Sequence, residues 1–150
     1  PPIWLGGFGP MALRVAGRLG TGWFPTSPTP DAFAKGWDAV IARAKKEGRD
    51  PSDLTPAAYL NVNLDPDAGP EEMSRYALSY YGLPFEVMSQ VQGYFSGEPE
   101  ACVEWLSGFV DAGVRYVVLR FATMDPRPHL ERAATEVLPA LKERYAGASS

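Results

Sequence analysis

The 150-residue sequence holds one cysteine, Cys102, and one histidine, His129. A lone thiol excludes an internal disulfide, and one Cys with one His cannot build a Cys/His zinc site, so metal chemistry is not expected. Basic residues are also scarce. Fourteen Lys and Arg stand against 18 Asp and Glu, a net charge of −4, which leaves no basic face to neutralise a nucleic-acid backbone or an anionic membrane. No apolar run approaches the ~18 residues of a membrane span, and the start lacks the charged and apolar regions of a signal peptide. A cytoplasmic protein is expected. Pro1-Pro2 stands where Met would, and leads straight into an apolar strand. A piece of a longer protein, or a processed terminus, would look this way.

With 45% hydrophobic residues the chain can bury a core of its own. Its opening is the most informative stretch. Pro-Ile-Trp-Leu runs into Gly6-Gly7-Phe8-Gly9-Pro10, then a helical segment, then Gly22-Trp23-Phe24-Pro25. A glycine turn from a strand into a helix N-terminus aims backbone N–H groups and a positive dipole end at an anion above it. The same spacing also describes a plain tight turn.

Beyond it, strand and helix alternate. Phe33, Trp37, Val40, Ile41 and Ala44 form one apolar stripe on a helix from Asp31 that Gly48 and Pro51 end. Leu60, Val62 and Leu64 alternate with Asn61 and Asn63, the period of a strand over about 57–64. A helix is predicted over 70–81, with Pro70, Glu71 and Glu72 in its first turn. From Gly82 to Gly97 the pattern predicts an irregular excursion holding at most a short helix over 85–91. Glu98 to Ala112 reads as an amphipathic helix capped by Gly113, and Val114 to Phe121 as a buried strand. A last helix, bent or restarted at Pro139, runs into a frayed tail over Ala146 to Ser150. Four strands, each followed by helical material, predict parallel α/β structure. A closed barrel takes roughly 250 residues, so this length fits half of an eight-stranded barrel or a small open sheet.

Here a resemblance becomes specific. Residues 2–10, followed by Ala12-Leu13, Ala16-Gly17-Arg18-Leu19-Gly20 and Gly22-Trp23-Phe24-Pro25, resemble the fifth through sixth strands of the bacterial luciferase-like monooxygenases. Ser96-Gly97-Glu98-Pro99-Glu100 through Phe109, then Ala112-Gly113 into Val114–Phe121, resembles that family's last helix and strand pair. The resemblance implies a TIM-barrel-like oxidoreductase acting with FMN or the deazaflavin coenzyme F420. Four C-terminal β/α units would be present and the first four strands absent. It also implies that Gly6, Gly7, Phe8, Gly9, Pro10 and Met11 hold the cofactor phosphate, and that catalytic groups sit mostly in the missing half, so none is named here. Gly9-Pro10 in place of paired serines points to the deazaflavin branch.

Other side chains carry two readings each. Arg120, near the end of an apolar strand, either binds a ligand phosphate or carboxylate or pairs with an acid such as Asp125. Trp23 and Phe24 form either a wall beside the cofactor ring or core. Tyr80 and Tyr81 either line a substrate pocket or staple the excursion. Asn61 and Asn63 are expected to be satisfied structurally, Cys102 to be buried and inert, and His129 to be exposed on the first turn of the last helix, outside any triad. A half barrel leaves strand edges and an inner sheet face open. The implied partners are therefore a small-molecule substrate and either the missing N-terminal half or a second copy, with a homo-oligomer expected. The alternative is a stand-alone half barrel that binds a phosphate-bearing ligand, or serves assembly, without catalysis of its own.

Overall fold

The computed structural model describes residues 1–147; the end of the expected frayed tail lies outside them. The elements in chain order are β1 (Trp4–Leu5), α1 (Pro10–Leu19), β2 (Gly22–Trp23), α2 (Pro30–Lys46), β3 (Thr55–Asn63), α3 (Gly69–Tyr81), α4 (Phe85–Met88), β4 (Gly93–Ser96), α5 (Pro99–Asp111), β5 (Tyr116–Phe121), α6 (Arg127–Arg132) and α7 (Leu138–Arg144). The strand order is β1-β2-β3-β4, with β5 also pairing β3. Contacts divide the chain into two units, the first from Pro1–Leu60, Val91–Gly93 and Phe109–Leu119, the second from Asn61–Gln90, Tyr94–Gly108 and the residues from Arg120 onward.

In the first unit β1, β2 and the start of β3 run parallel, with Trp4 opposite Gly22 and Trp23 opposite Pro56. The predicted stripe forms α2. Thr29 caps it by accepting the Ala32 N–H, Pro30 begins it, and Asp31 at one end and Arg43, Lys45 and Lys46 at the other complement its dipole. Phe33, Val40 and Ala44 are fully buried against Trp23, whose ring stacks on Phe33 at 5.2 Å between centroids. Trp23 is therefore core, which decides against a wall beside the cofactor ring. Gly36 exists because a Cβ there would overlap the Trp23 ring. Arg49 ties the C-terminal end of α1 down by donating to the Gly17 and Gly20 carbonyls at 2.8 and 2.6 Å.

On the same unit, Trp4 meets Phe24 and Tyr116 at 6.0 and 5.4 Å, and Phe24 meets Tyr59 at 5.9 Å. This aromatic row is only partly covered. Tyr116 is 58% and Val118 42% exposed, so β5 has an open side where its apolar sequence had suggested cover.

In the second unit, Gly97 N–H donates to the Asn63 carbonyl and Ala122 N–H to the Val62 carbonyl. Gly93–Ser96 forms β4, a strand inside the stretch expected to be irregular. Its four residues carry no readable alternation, and its pairing comes from distant backbone. Met73, Tyr76 and Ala122 form a cluster against which Tyr81, Phe85 and Tyr94 pack. The last helix is interrupted by a π-helical turn over Ala133–Val137, immediately before the turn that holds Pro139. The π turn and the break after it are the expected response to a proline without an N–H. Arg144, on α7, reaches Glu104 with two hydrogen bonds of 2.7 and 3.0 Å.

Cys102 is buried on α5, and burial pushes its thiol up to about 12. It should stay unreacted with a disulfide reagent at pH 8 while the protein is folded, and titrate as one thiol after unfolding in guanidinium. Fast reaction in the native state would contradict the packing.

Candidate functional site

The glycine corner joins β1 to α1 in the first unit. Gly7 takes φ +91°, the left-handed region that glycine tolerates, and its carbonyl accepts the Trp23 Nε1–H at 2.9 Å. The core indole thus fixes the turn from below. Phe8 packs edge-on to the same indole, with centroids 5.5 Å apart. Gly9 is the N-cap of α1 and offers no side-chain acceptor, Pro10 fills the first position, and no acid lies in the first turn. The N–H groups of Met11 and Ala12 therefore lack both an intrahelical acceptor and a side-chain cap. A Cβ on Gly9 would meet nothing within 4 Å, so the space in front of this helix end is open. Open space, bare donors and a positive dipole end suit a phosphate group.

Arg120 lies on β5 in the second unit. Its guanidinium carbon sits 3.8 Å from the centroid of the Tyr80 ring and 5.3 Å from that of Tyr76, a cation–π arrangement. Tyr76 and Tyr80 are themselves nearly parallel, 9° apart, and Tyr81 stands edge-on to Tyr80 at 4.8 Å. The tyrosine pair thus splits its roles. Tyr81 staples the segment to the Met73 cluster, while Tyr80 carries the arginine and remains 58% exposed.

The sequence did not reveal a third group, at the carboxyl end of β3. His129 is 7% exposed rather than on the surface. Its ring lies against Phe121, and its Nδ1 accepts the Leu64 N–H at 3.0 Å. Arg132 holds the same residue from the other side by donating to the Leu64 carbonyl, and pairs with Glu98 and Glu136. Asn63, fully buried, donates to Glu72 Oε2 at 2.8 Å and accepts the Asp65 N–H at 3.1 Å, which is the satisfied role expected of it. Glu72 Oε2 also lies 3.7 Å from His129 Nε2. The available signal was positional: Glu72 and His129 both stand in first turns of helices that follow strands. In parallel α/β structure those turns gather at one end.

Asp65 closes the corner after β3. The Ala68 and Asp67 N–H groups donate to its carboxylate and hold it below the usual carboxylate range, with His129 and Arg132 adding to the effect. A depressed carboxyl contributes stability above its ordinary pKa of about 4 and loses that contribution as pH falls through the folded value. Asp65→Asn should therefore flatten the loss of stability in acid, read as the urea midpoint at pH 7 against pH 3; an unchanged difference would show that Asp65 has no such role.

Among the described residues no group of three or more His, Cys, Asp or Glu side chains is placed to hold a metal ion, and no helix is long and apolar enough to cross a membrane.

Comparison with known proteins places these features in a family. The model of the luciferase-like monooxygenases matches residues 1–95. A phthiodiolone/phenolphthiodiolone dimycocerosates ketoreductase of Mycobacterium tuberculosis is 27% identical over 95% of this chain and 49% of its own length. An F420-dependent glucose-6-phosphate dehydrogenase of Microbacterium testaceum is 28% identical over 97% of this chain and 50% of its own. Among solved structures, the coenzyme F420-dependent tetrahydromethanopterin reductase of Methanopyrus kandleri superposes with a TM-score of 0.71 at 20% identity, over 94% of this chain and 51% of that one. Riboflavin lyase with modified FMN gives 0.72 at 16% identity, over 96% and 42%. This chain thus spans about half the length of the curated relatives it matches. Its fold is the parallel α/β fold of half a TIM-barrel enzyme, and the chain belongs to the luciferase-like monooxygenase family.

Proposed function

We propose that this chain supplies the cofactor-phosphate half of an oxidoreductase that acts on a small molecule with F420 or FMN. The observation that carries this reading is the uncapped start of α1, with open space at Gly9, in a member of the luciferase-like family. Gly6, Gly7 and Gly9 let the main chain approach the phosphate, Phe8 and Pro10 set the direction of the turn, and Met11 presents its backbone N–H at the helix start. Arg120 is the second proposed contact, a guanidinium whose forked donors match a phosphate or carboxylate. Once bound, the cofactor supplies the electron-transfer chemistry, as hydride transfer or oxygen activation. The protein binds it, orients it and keeps water away.

The exposed aromatic row of the first unit supports a partner. Ile3, Trp4, Tyr116 and Val118 are 58, 36, 58 and 42% exposed, an apolar set that four further strand–helix units would cover. The occupant proposed is the other half of the barrel, from a longer chain or a second copy. Apparent mass on a sizing column at two concentrations separates a self-paired dimer from a monomer.

Titrating the purified protein with F420 and with FMN, followed by cofactor fluorescence, tests the main reading. Saturable binding of one of them, competed by inorganic pyrophosphate, is expected. Absence of saturable binding by both refutes it.

A further inference from the structure

The polar group at the carboxyl end of β3 is arranged around one carboxylate. Asn63 donates to Glu72 Oε2 at 2.8 Å, and His129 Nε2 faces the same oxygen at 3.7 Å. His129 Nδ1 is already the acceptor of the Leu64 N–H, so the neutral ring carries its hydrogen on Nε2, toward Glu72. Phe121 and the Leu64 peptide keep that ring in place. Among the described residues no donor takes the other oxygen, Oε1, and the Glu72 side chain is 34% exposed where Asn63 and His129 are almost wholly buried. Two buried residues from different strand–helix junctions thus hold a carboxylate still and leave one of its oxygens for an outside donor.

We propose that Glu72 accepts a hydrogen bond from a hydroxyl group of the substrate, with Asn63 and His129 as its positioning residues. The inference rests on the oxidoreductase reading above, because the strand ends are where such a site lies. The class of ligand follows from the chemistry. An ionised carboxylate only accepts, so it favours an alcohol or sugar hydroxyl and discriminates against the corresponding ketone, which has no hydrogen to offer.

The test uses the purified protein with glutamate labelled at the side-chain carboxyl carbon, titrated with 2-butanol, glucose 6-phosphate, 2-aminobutane and butanone. The Glu72 carbon resonance is expected to move with the two hydroxylated probes and to stay fixed with butanone. Glu72→Gln should weaken the hydroxylated probes by about tenfold or more, with F420 and FMN affinity unchanged. His129→Asn keeps an acceptor for the Leu64 N–H but no donor toward Glu72. It should retain the melting temperature that His129→Ala loses, while probe affinity falls in both. A resonance that ignores both hydroxylated probes, a response to the amine alone, or a Glu72→Gln protein that melts earlier yet binds the probes normally would overturn the proposal. Loss of cofactor binding alongside an intact hydroxyl response would instead defeat the cofactor reading.

Discussion

Gly36→Val is expected to unfold the first unit. A Cβ at Gly36 would already overlap the Trp23 ring, and valine adds two methyl groups beyond it. The ring cannot retreat. It stacks on Phe33, meets Phe8 edge-on, and is anchored at Nε1 by the Gly7 carbonyl, so any displacement breaks three contacts together. Overpacking a core usually costs about 1–3 kcal/mol, and a site without slack lies at or above the top of that range. Domains have only about 5–15 kcal/mol in total. Urea unfolding followed by tryptophan fluorescence should show the midpoint collapse, and Gly36→Ala should give a smaller loss of the same sign. A Gly36→Val protein of normal stability would mean that the indole packs differently. Because the same indole supports the glycine corner, cofactor binding should fail with the fold.

Gly9→Asp is expected to separate stability from cofactor binding. Gly9 has φ −63° and ψ 155°, ordinary extended backbone, and its Cβ would meet no neighbour. Aspartate fits there and would cap α1, so stability should hold or rise by about a few tenths of a kcal/mol. The same carboxylate would take the free N–H groups and set a negative charge in front of them. Like charges about 4 Å apart repel by ~4 kcal/mol in a surface environment. Even partial expression of that repulsion, about 2.7 kcal/mol, corresponds to ~100-fold weaker binding of F420 or FMN. Gly9→Asn fills the space without the charge and should cost less affinity. Equal affinity of Gly9→Asp and the parent protein would remove the phosphate from this corner.

Local patterns in the sequence carried the regular elements because local forces make them. The stripe from Phe33 to Ala44 is α2, and the apolar run before Phe121 is β5, each close to its expected boundaries. The parallel α/β class followed from their alternation. β4 was not legible, since Gly93 to Ser96 becomes a strand only by pairing with β3. His129 was misjudged for the same reason. Its burial depends on Leu64, 65 residues away, and on Phe121, and no window around Pro128 contains that information. The glycine corner stood between these extremes. Its turn was visible in three glycines, but the indole that holds it and the clear space at Gly9 emerged only in three dimensions.

The π turn over Ala133–Val137 amounts to one residue more than a regular helix needs. Removing any one of those five would restore the ordinary winding but rotate all that follows by about 100°. Arg144 would then swing off Glu104, and the buried side of the chain's last helical segment would face outward. The extra residue works as a phase adjuster, so this helix should tolerate substitutions along its length better than a change in its length.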